Sequence, residues 1–182
     1  MTYRELAQRI RVPAGFVLAP LLFILADSTW RTLLAGSLVA VTGLLIRAWA
    51  SGYLRKNEEL TMDGPYSFTR NPLYFGTFLL ALGVAIASGS TWFLLLLVML
   101  YLAIYCPVIL AEADTMRRMF PEGYAQYSSQ VPMFLPRLTP YRPLTGSRFD
   151  LALYFKHREY QAGLGFAVIL LLLAAKQLLM AR

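Results

Sequence analysis

Apolar residues run almost unbroken through five stretches, about 13 to 29, 32 to 50, 73 to 89, 91 to 111 and 162 to 180, with polar residues gathered between them. Each stretch is near the ~20 residues that a helix needs to cross the hydrocarbon of a bilayer. Pro20 falls inside the first, which predicts a helix that is kinked or lies partly in the interface. Only Ser88-Gly89-Ser90-Thr91 separates the third stretch from the fourth, so these two are expected to form a tight antiparallel hairpin. Its outer ends, residues 70–74 and 111–114, then meet on one membrane face. Residues 112–131 alternate charged and apolar positions, with Met116, Met119, Phe120 and Tyr124 at helical spacing, and predict an interfacial amphipathic helix. Pro132 and Pro136 exclude a regular helix over 131–136, and that segment is expected to turn back across the membrane face and roof the cleft. The pattern predicts an all-α integral membrane protein of about five transmembrane helices, with a tight hairpin and a cytoplasmic amphipathic helix.

Composition agrees with a single membrane domain. Of the 182 residues, 58% are hydrophobic and 15% charged, too apolar for a soluble domain of this size. The lone cysteine, Cys106, allows no disulfide, and the lone histidine, His157, leaves no pair at metal-ligand spacing, so neither a metal mechanism nor a Ser-His-Asp or Cys-His set is expected. The net charge of +7 is spread over connecting segments, which points to anionic lipid headgroups and not to nucleic acid. With the N-terminus cytoplasmic and five spans, 14 of the 17 basic residues fall on the cytoplasmic side and only Arg31, Lys176 and Arg182 fall outside. The C-terminus is then external. Arg4, Arg9 and Arg11 before an apolar run mimic a signal peptide, but Pro13, Pro20 and the absence of a small-residue cleavage site predict a retained anchor and a mature chain starting at Met1. Lys156, His157 and Arg158 read as a solvated juxtamembrane stretch before the last span.

Residues 63–76 carry the densest chemical signal. Gly64-Pro65 and Asn71-Pro72 break helices on either side of Tyr66 and Arg70, and irregular backbone beside a bilayer is tolerated where protein buries it or water solvates it. Arg70 stands at the mouth of the third span, where the helix dipole also favours an anion, so it either orients a carboxylate or phosphate or snorkels to lipid phosphates. Glu112 and Asp114 at the other end of the hairpin call for a cation, either a protein arginine such as Arg70 or Arg117, or a ligand ammonium or sulfonium. Tyr66 and Tyr74 suit stacking on a heterocycle or facing a cation, or serve as interfacial anchors. Gly76 and Gly83, seven residues apart, suit close helix packing first and ligand approach second.

Gly64-Pro65-Tyr66, then Arg70-Asn71-Pro72-Leu73-Tyr74-Phe75-Gly76, then Glu112 after the hairpin and Phe120, Tyr124, Tyr127 and Val131-Pro132 resemble the core of the isoprenylcysteine carboxyl methyltransferase and phospholipid methyltransferase family. The resemblance covers roughly residues 44–138, which makes 1–43 the N-terminal spans, 44–138 a methyltransferase-like core, and 139–182 a C-terminal juxtamembrane segment with the last span. It implies methyl transfer from S-adenosylmethionine to a lipid-like or prenylated acceptor. Tyr66, Asn71, Leu73, Tyr74, Gly76 and Glu112 would hold the cofactor. Arg70 would orient the acceptor, with Arg47 and Arg117 as further candidates, and Arg70 and Glu112 would be the catalytic pair. Arg55 and Lys56 either screen the cofactor carboxylate or snorkel.

Three positions depart from the family pattern: Asn71 replaces its histidine, Ala113 the second residue of its Glu-Glu pair, and Gln130 a basic residue. Asn71 still donates and accepts hydrogen bonds but takes up no proton near neutral pH. A carboxylate acceptor needs no general base, whereas a phospholipid amine must lose a proton before it attacks. Carboxyl O-methylation, amine N-methylation and a non-catalytic module binding anionic lipid or a partner helix are the readings that remain open. The sequence does not fix the oligomeric state.

Overall fold

The computed structural model describes residues 17–55, 58–141 and 148–180. Its helices are α1 over residues 17–25, α2 (Trp30–Ser51), α3 (Pro72–Ala87), α4 (Thr91–Met119), α5 (Pro121–Gln130), α6 (Leu151–Lys156) and α7 (Tyr160–Met180), with one 3-10 turn at Gly64–Ser67. No strand occurs among the described residues. The protein is all-helical and membrane-integral; among the described residues α2, α4 and α7 are long and apolar enough to cross, and the expected first span lies partly outside those residues. At 16 residues α3 is about 24 Å long, short of the ~30 Å hydrocarbon core. It starts at Pro72, one residue before the expected 73, and ends at Ala87, two residues before the expected 89. Arg4, Arg9, Arg11, Pro13, Lys56, Arg142 and Arg182, on which part of the charge and anchor reading rests, lie outside the described residues.

The hairpin forms as expected. Ser88 caps α3, Gly89 takes a left-handed φ of 70°, and Ser90 caps α4 by accepting from the Phe93 amide at 3.3 Å. The Asp27 amide donates to the Ser88 carbonyl at 2.8 Å, fastening the hairpin to the segment between α1 and α2. On the same end, Lys176 of α7 donates to the Phe23 and Ala26 carbonyls, each at 2.7 Å, and so satisfies acceptors at the close of α1.

Small residues set the closest contact in the molecule, α2 against α3. Gly36 and Gly43 on α2 face Gly83 and Gly76 on α3, an antiparallel register with two crossings one heptad apart. A Cβ on Gly76 would stand 2.7 Å from both the Gly43 carbonyl oxygen and Arg47 Cγ, so backbone meets backbone without room for a side chain. Leu22, Ala40, Val84, Phe93, Leu97 and Phe166 form the apolar core beside this contact. Many large apolar side chains of α2, α4 and α7 stay exposed, as lipid-facing surfaces do.

Two sequence expectations change at the other end. The amphipathic segment 112–131 is not one helix: α4 continues through Met119, and Pro121, which has no N–H and clashes with the preceding turn, forces a new start for α5. Its apolar face is turned to protein, with Tyr124, Tyr127 and Val131 buried together with Ala113 against Leu60, Met62 and Met133. Segment 131–136 does not roof the cleft. It runs beside residues 67–71, where Arg70 N–H donates to Pro132 O at 2.9 Å, Thr69 Oγ1 to Phe134 O at 2.9 Å, and Asn71 Nδ2 to Met133 O at 2.9 Å. The loop that carries Arg70 is therefore braced from behind.

Candidate functional site

Where α2 ends, α3 begins and α4 leaves the hairpin, a cavity of about 620 Å³ opens. That volume is in the range of small-molecule sites. Leu54, Arg55 and residues 59–61, Tyr124 and Tyr127 of α5, and His157 and Glu159 between α6 and α7 complete its wall. A smaller cavity of about 420 Å³, between residues 59–62 and 120–123, adjoins it through Glu59, Leu60 and Thr61.

The loop 63–71 brings its side chains inward because Gly64 adopts a left-handed φ of 56° beside the Tyr53 ring and Pro65 locks the next residue. Tyr66 is buried in the wall, and its carbonyl accepts from Tyr127 Oη at 2.7 Å. Burial above all, helped by Tyr127 and the carboxylates of Glu112 and Glu159, pushes the Tyr66 phenol well above its ordinary range. It stays a neutral hydrogen-bond donor at any physiological pH. Burial likewise raises Tyr127, against the opposing pull of Arg70.

Charges in the cavity are balanced, but not all are paired. Arg47 grips Glu159 with Nε and Nη2, each 3.0 Å from a carboxylate oxygen, and also donates to Thr77 Oγ1. Arg55 lies 3.6 Å from Glu59 on the rim. Two groups remain. Arg70 donates Nη1 to Tyr124 Oη at 2.9 Å and stands 5.6 Å over that ring, but its buried Nε has no hydrogen-bond partner and no carboxylate pairs with it among the described residues. Glu112 accepts from Tyr74 Oη at 2.6 Å and has no cationic partner among the described residues. One arginine and one glutamate thus face the same cavity without a countercharge.

The structure brings Arg47, Arg55, Tyr66, Arg70, Asn71, Leu73, Tyr74 and Glu112 to this wall. Gly76 and Arg117 are not there. Gly76 is spent on the α2 contact, and Arg117 is exposed on α4 beside Asp114 at 3.5 Å. Asn71 lines the cavity while its amide holds the Met133 carbonyl. Ala113, at 7% exposure, packs in the tyrosine cluster and also lines the cavity. Sequence reading missed Thr77, Thr115, Tyr124, Tyr127 and Glu159 in the wall, and above all His157, which it assigned to a solvated stretch. That assignment holds for exposed Lys156 and Arg158 but not for His157.

Comparison with known proteins adds an independent line. A profile described as phospholipid methyltransferase matches residues 30–123, from the first residue of α2 into α5. The cobalt-zinc-cadmium resistance protein CzcN of Cupriavidus metallidurans is 37% identical over 139 residues, which are 72% of this chain and 64% of that protein. The nickel-cobalt-cadmium resistance protein NccN of Alcaligenes xylosoxydans xylosoxydans is 34% identical over 121 residues, 64% of this chain and 56% of that protein. Protein-S-isoprenylcysteine O-methyltransferase of Schizosaccharomyces pombe is 31% identical over 81 residues, 44% of this chain and 34% of the enzyme. The matches thus span less than two thirds of the length of these relatives. No solved structure matches the chain.

Proposed function

The chain belongs to the phospholipid methyltransferase family, and from that premise we propose that it transfers a methyl group from S-adenosylmethionine to a lipid-like acceptor at the membrane. The observation that carries the reading is the pair of uncompensated charges, Arg70 and Glu112, in one cavity. S-Adenosylmethionine supplies a methyl group on a cationic sulfonium and carries a carboxylate, an ammonium and a flat heterocycle. The wall matches each kind of group: an anionic Glu112, a cationic Arg70, and the rings of Tyr66 and Tyr74.

In this reading Glu112, oriented by the Tyr74 hydroxyl, favours a positive centre beside it. Tyr66, Asn71 and Leu73 line the cofactor's share of the cavity, and Gly76 acts indirectly by letting α3 approach α2. Arg70 orients the acceptor's polar head, its guanidinium bearing no carboxylate partner among the described residues. Arg47 is committed to Glu159 and shapes the wall. The acceptor's chain reaches the cavity from the bilayer. Methyl transfer is an in-line displacement in which holding the two reactants in place supplies much of the rate, and the braced loop 66–71 serves that purpose.

The test is transfer of labelled methyl groups from S-adenosylmethionine to phosphatidylethanolamine vesicles and, in parallel, to a farnesylated N-acetylcysteine. We expect label in one acceptor, with turnover reduced at least ~100-fold in Arg70→Ala. Equal transfer by the wild type, Arg70→Ala and Glu112→Ala would remove the assignment of these residues.

A further inference from the structure

The turn between α6 and α7 lies beyond the segment that the family profile matches, yet it forms part of the cavity wall. Three features of this turn point the same way. Arg158 adopts a left-handed φ of 55°, a conformation that residues with a Cβ avoid unless their surroundings impose it. Glu159 beside it is clamped by the two-pronged Arg47 contact, with its side chain 10% exposed. On the other side of Arg158, the His157 imidazole enters the cavity wall with Nδ1 buried and without a hydrogen-bond partner. The chain reverses sharply so that a carboxylate anchors the turn and an imidazole is presented to the cavity.

The other acidic and basic groups around this cavity are engaged or unable to take a proton. Glu159 holds Arg47, Glu59 lies against Arg55, and Glu112 accepts from Tyr74. Arginines have no lone pair to offer, and Asn71 does not exchange a proton near neutrality. Imidazole does, and it is the side chain best suited to doing so at physiological pH. The sequence contains no other histidine.

We propose that His157 is the group that takes the proton from a protic acceptor, from an ammonium before its nitrogen attacks or from a hydroxyl as it is methylated; the inference rests on the methyl-transfer reading above. In the step, the acceptor's lone pair forms the new bond to the methyl carbon. The carbon–sulfur bond breaks with its electron pair left on sulfur, giving the neutral thioether. The proton leaves the acceptor nitrogen or oxygen for the imidazole, and from there passes to water. Arg47, Arg55, Glu59, Arg70, Glu112 and Glu159 are the charged groups that share the cavity with the imidazole.

Because His157 is unique, histidine-selective ¹⁵N labelling of the untagged full chain reports one imidazole. Three measurements decide the matter: calorimetric binding of S-adenosylhomocysteine, the ¹⁵N spectrum before and after phosphatidylethanolamine is added to that complex in nanodiscs, and labelled methyl transfer by His157→Gln and His157→Ala. We expect the imidazole resonances to move on addition of the aminophospholipid. We also expect His157→Gln to bind S-adenosylhomocysteine within ~2-fold of wild type but to turn over ~100-fold more slowly, and free imidazole to restore part of the rate of His157→Ala. Unmoved resonances, or turnover unchanged in His157→Gln, overturn the proposal. Failure of the wild type to bind S-adenosylhomocysteine removes the methyl-transfer reading itself and this inference with it, whereas binding with a silent imidazole removes the inference alone.

Discussion

Tyr74 and Glu112, 38 residues apart in sequence and at the two hairpin ends expected to lie close together, meet through a 2.6 Å hydrogen bond. A phenol donating to a carboxylate is a charge-assisted bond, and losing it leaves the carboxylate free to rotate away from its working position. Tyr74→Phe is therefore expected to weaken S-adenosylmethionine binding by up to ~10-fold and to lower stability by about 1 to 2 kcal/mol, readable by calorimetry and thermal unfolding. Arg70 and Tyr66 stood out because helix-breaking pairs flank them in an otherwise apolar chain, whereas Leu73 was named from the family resemblance. His157 did not stand out, because an exposed lysine and arginine flank it and only the three-dimensional turn shows that it points the other way. Tyr124 and Tyr127 were visible as a helical stripe, but periodicity does not say whether a stripe meets lipid or protein.

At the level of elements, helix boundaries followed local chemistry. Pro72, Ser90 and Pro121 each stand at or beside a start, for the physical reasons that disqualify or favour them there. The error over 112–131 arose because a charged segment after an apolar one marks the interface but not the end of the helix; the backbone continues until Pro121 stops it. The α2–α3 contact depends on glycine carbonyls facing glycine Cα atoms. A Cβ at Gly83 would lie 2.5 Å from the Gly36 oxygen, while none of the surrounding atoms lies within 4 Å of one at Gly163. Gly83→Val should thus cost 3 kcal/mol or more, about the upper range of overpacking, and abolish a monodisperse peak in size-exclusion chromatography. Gly163→Ala should elute and melt as the wild type does.

Across the whole molecule, the cavity and most described basic residues share one end of the helices, while Arg31, Lys176 and the hairpin turn share the other. The positive-inside tendency then predicts that the cavity faces the cytoplasm. Cysteine placed at Arg148 in a Cys106→Ala background should react with a membrane-impermeant maleimide in inverted vesicles and not in intact cells; the reverse pattern would place the cavity outside. Fold class and hairpin were readable because hydrophobic periodicity survives without long-range information. The length of α3 was less readable, because it packs closely against α2 and reaches 16 residues, a property of two helices together. The central claim is that this cavity holds S-adenosylmethionine with Glu112 facing its positive centre, and the most direct measurement is calorimetric titration of that cofactor into the detergent-purified full chain, wild type against Glu112→Gln. The account predicts saturable one-site binding that Glu112→Gln weakens at least ~10-fold, the equivalent of about 1.4 kcal/mol. Absence of binding by folded wild-type protein, or equal affinity in the two, would contradict it.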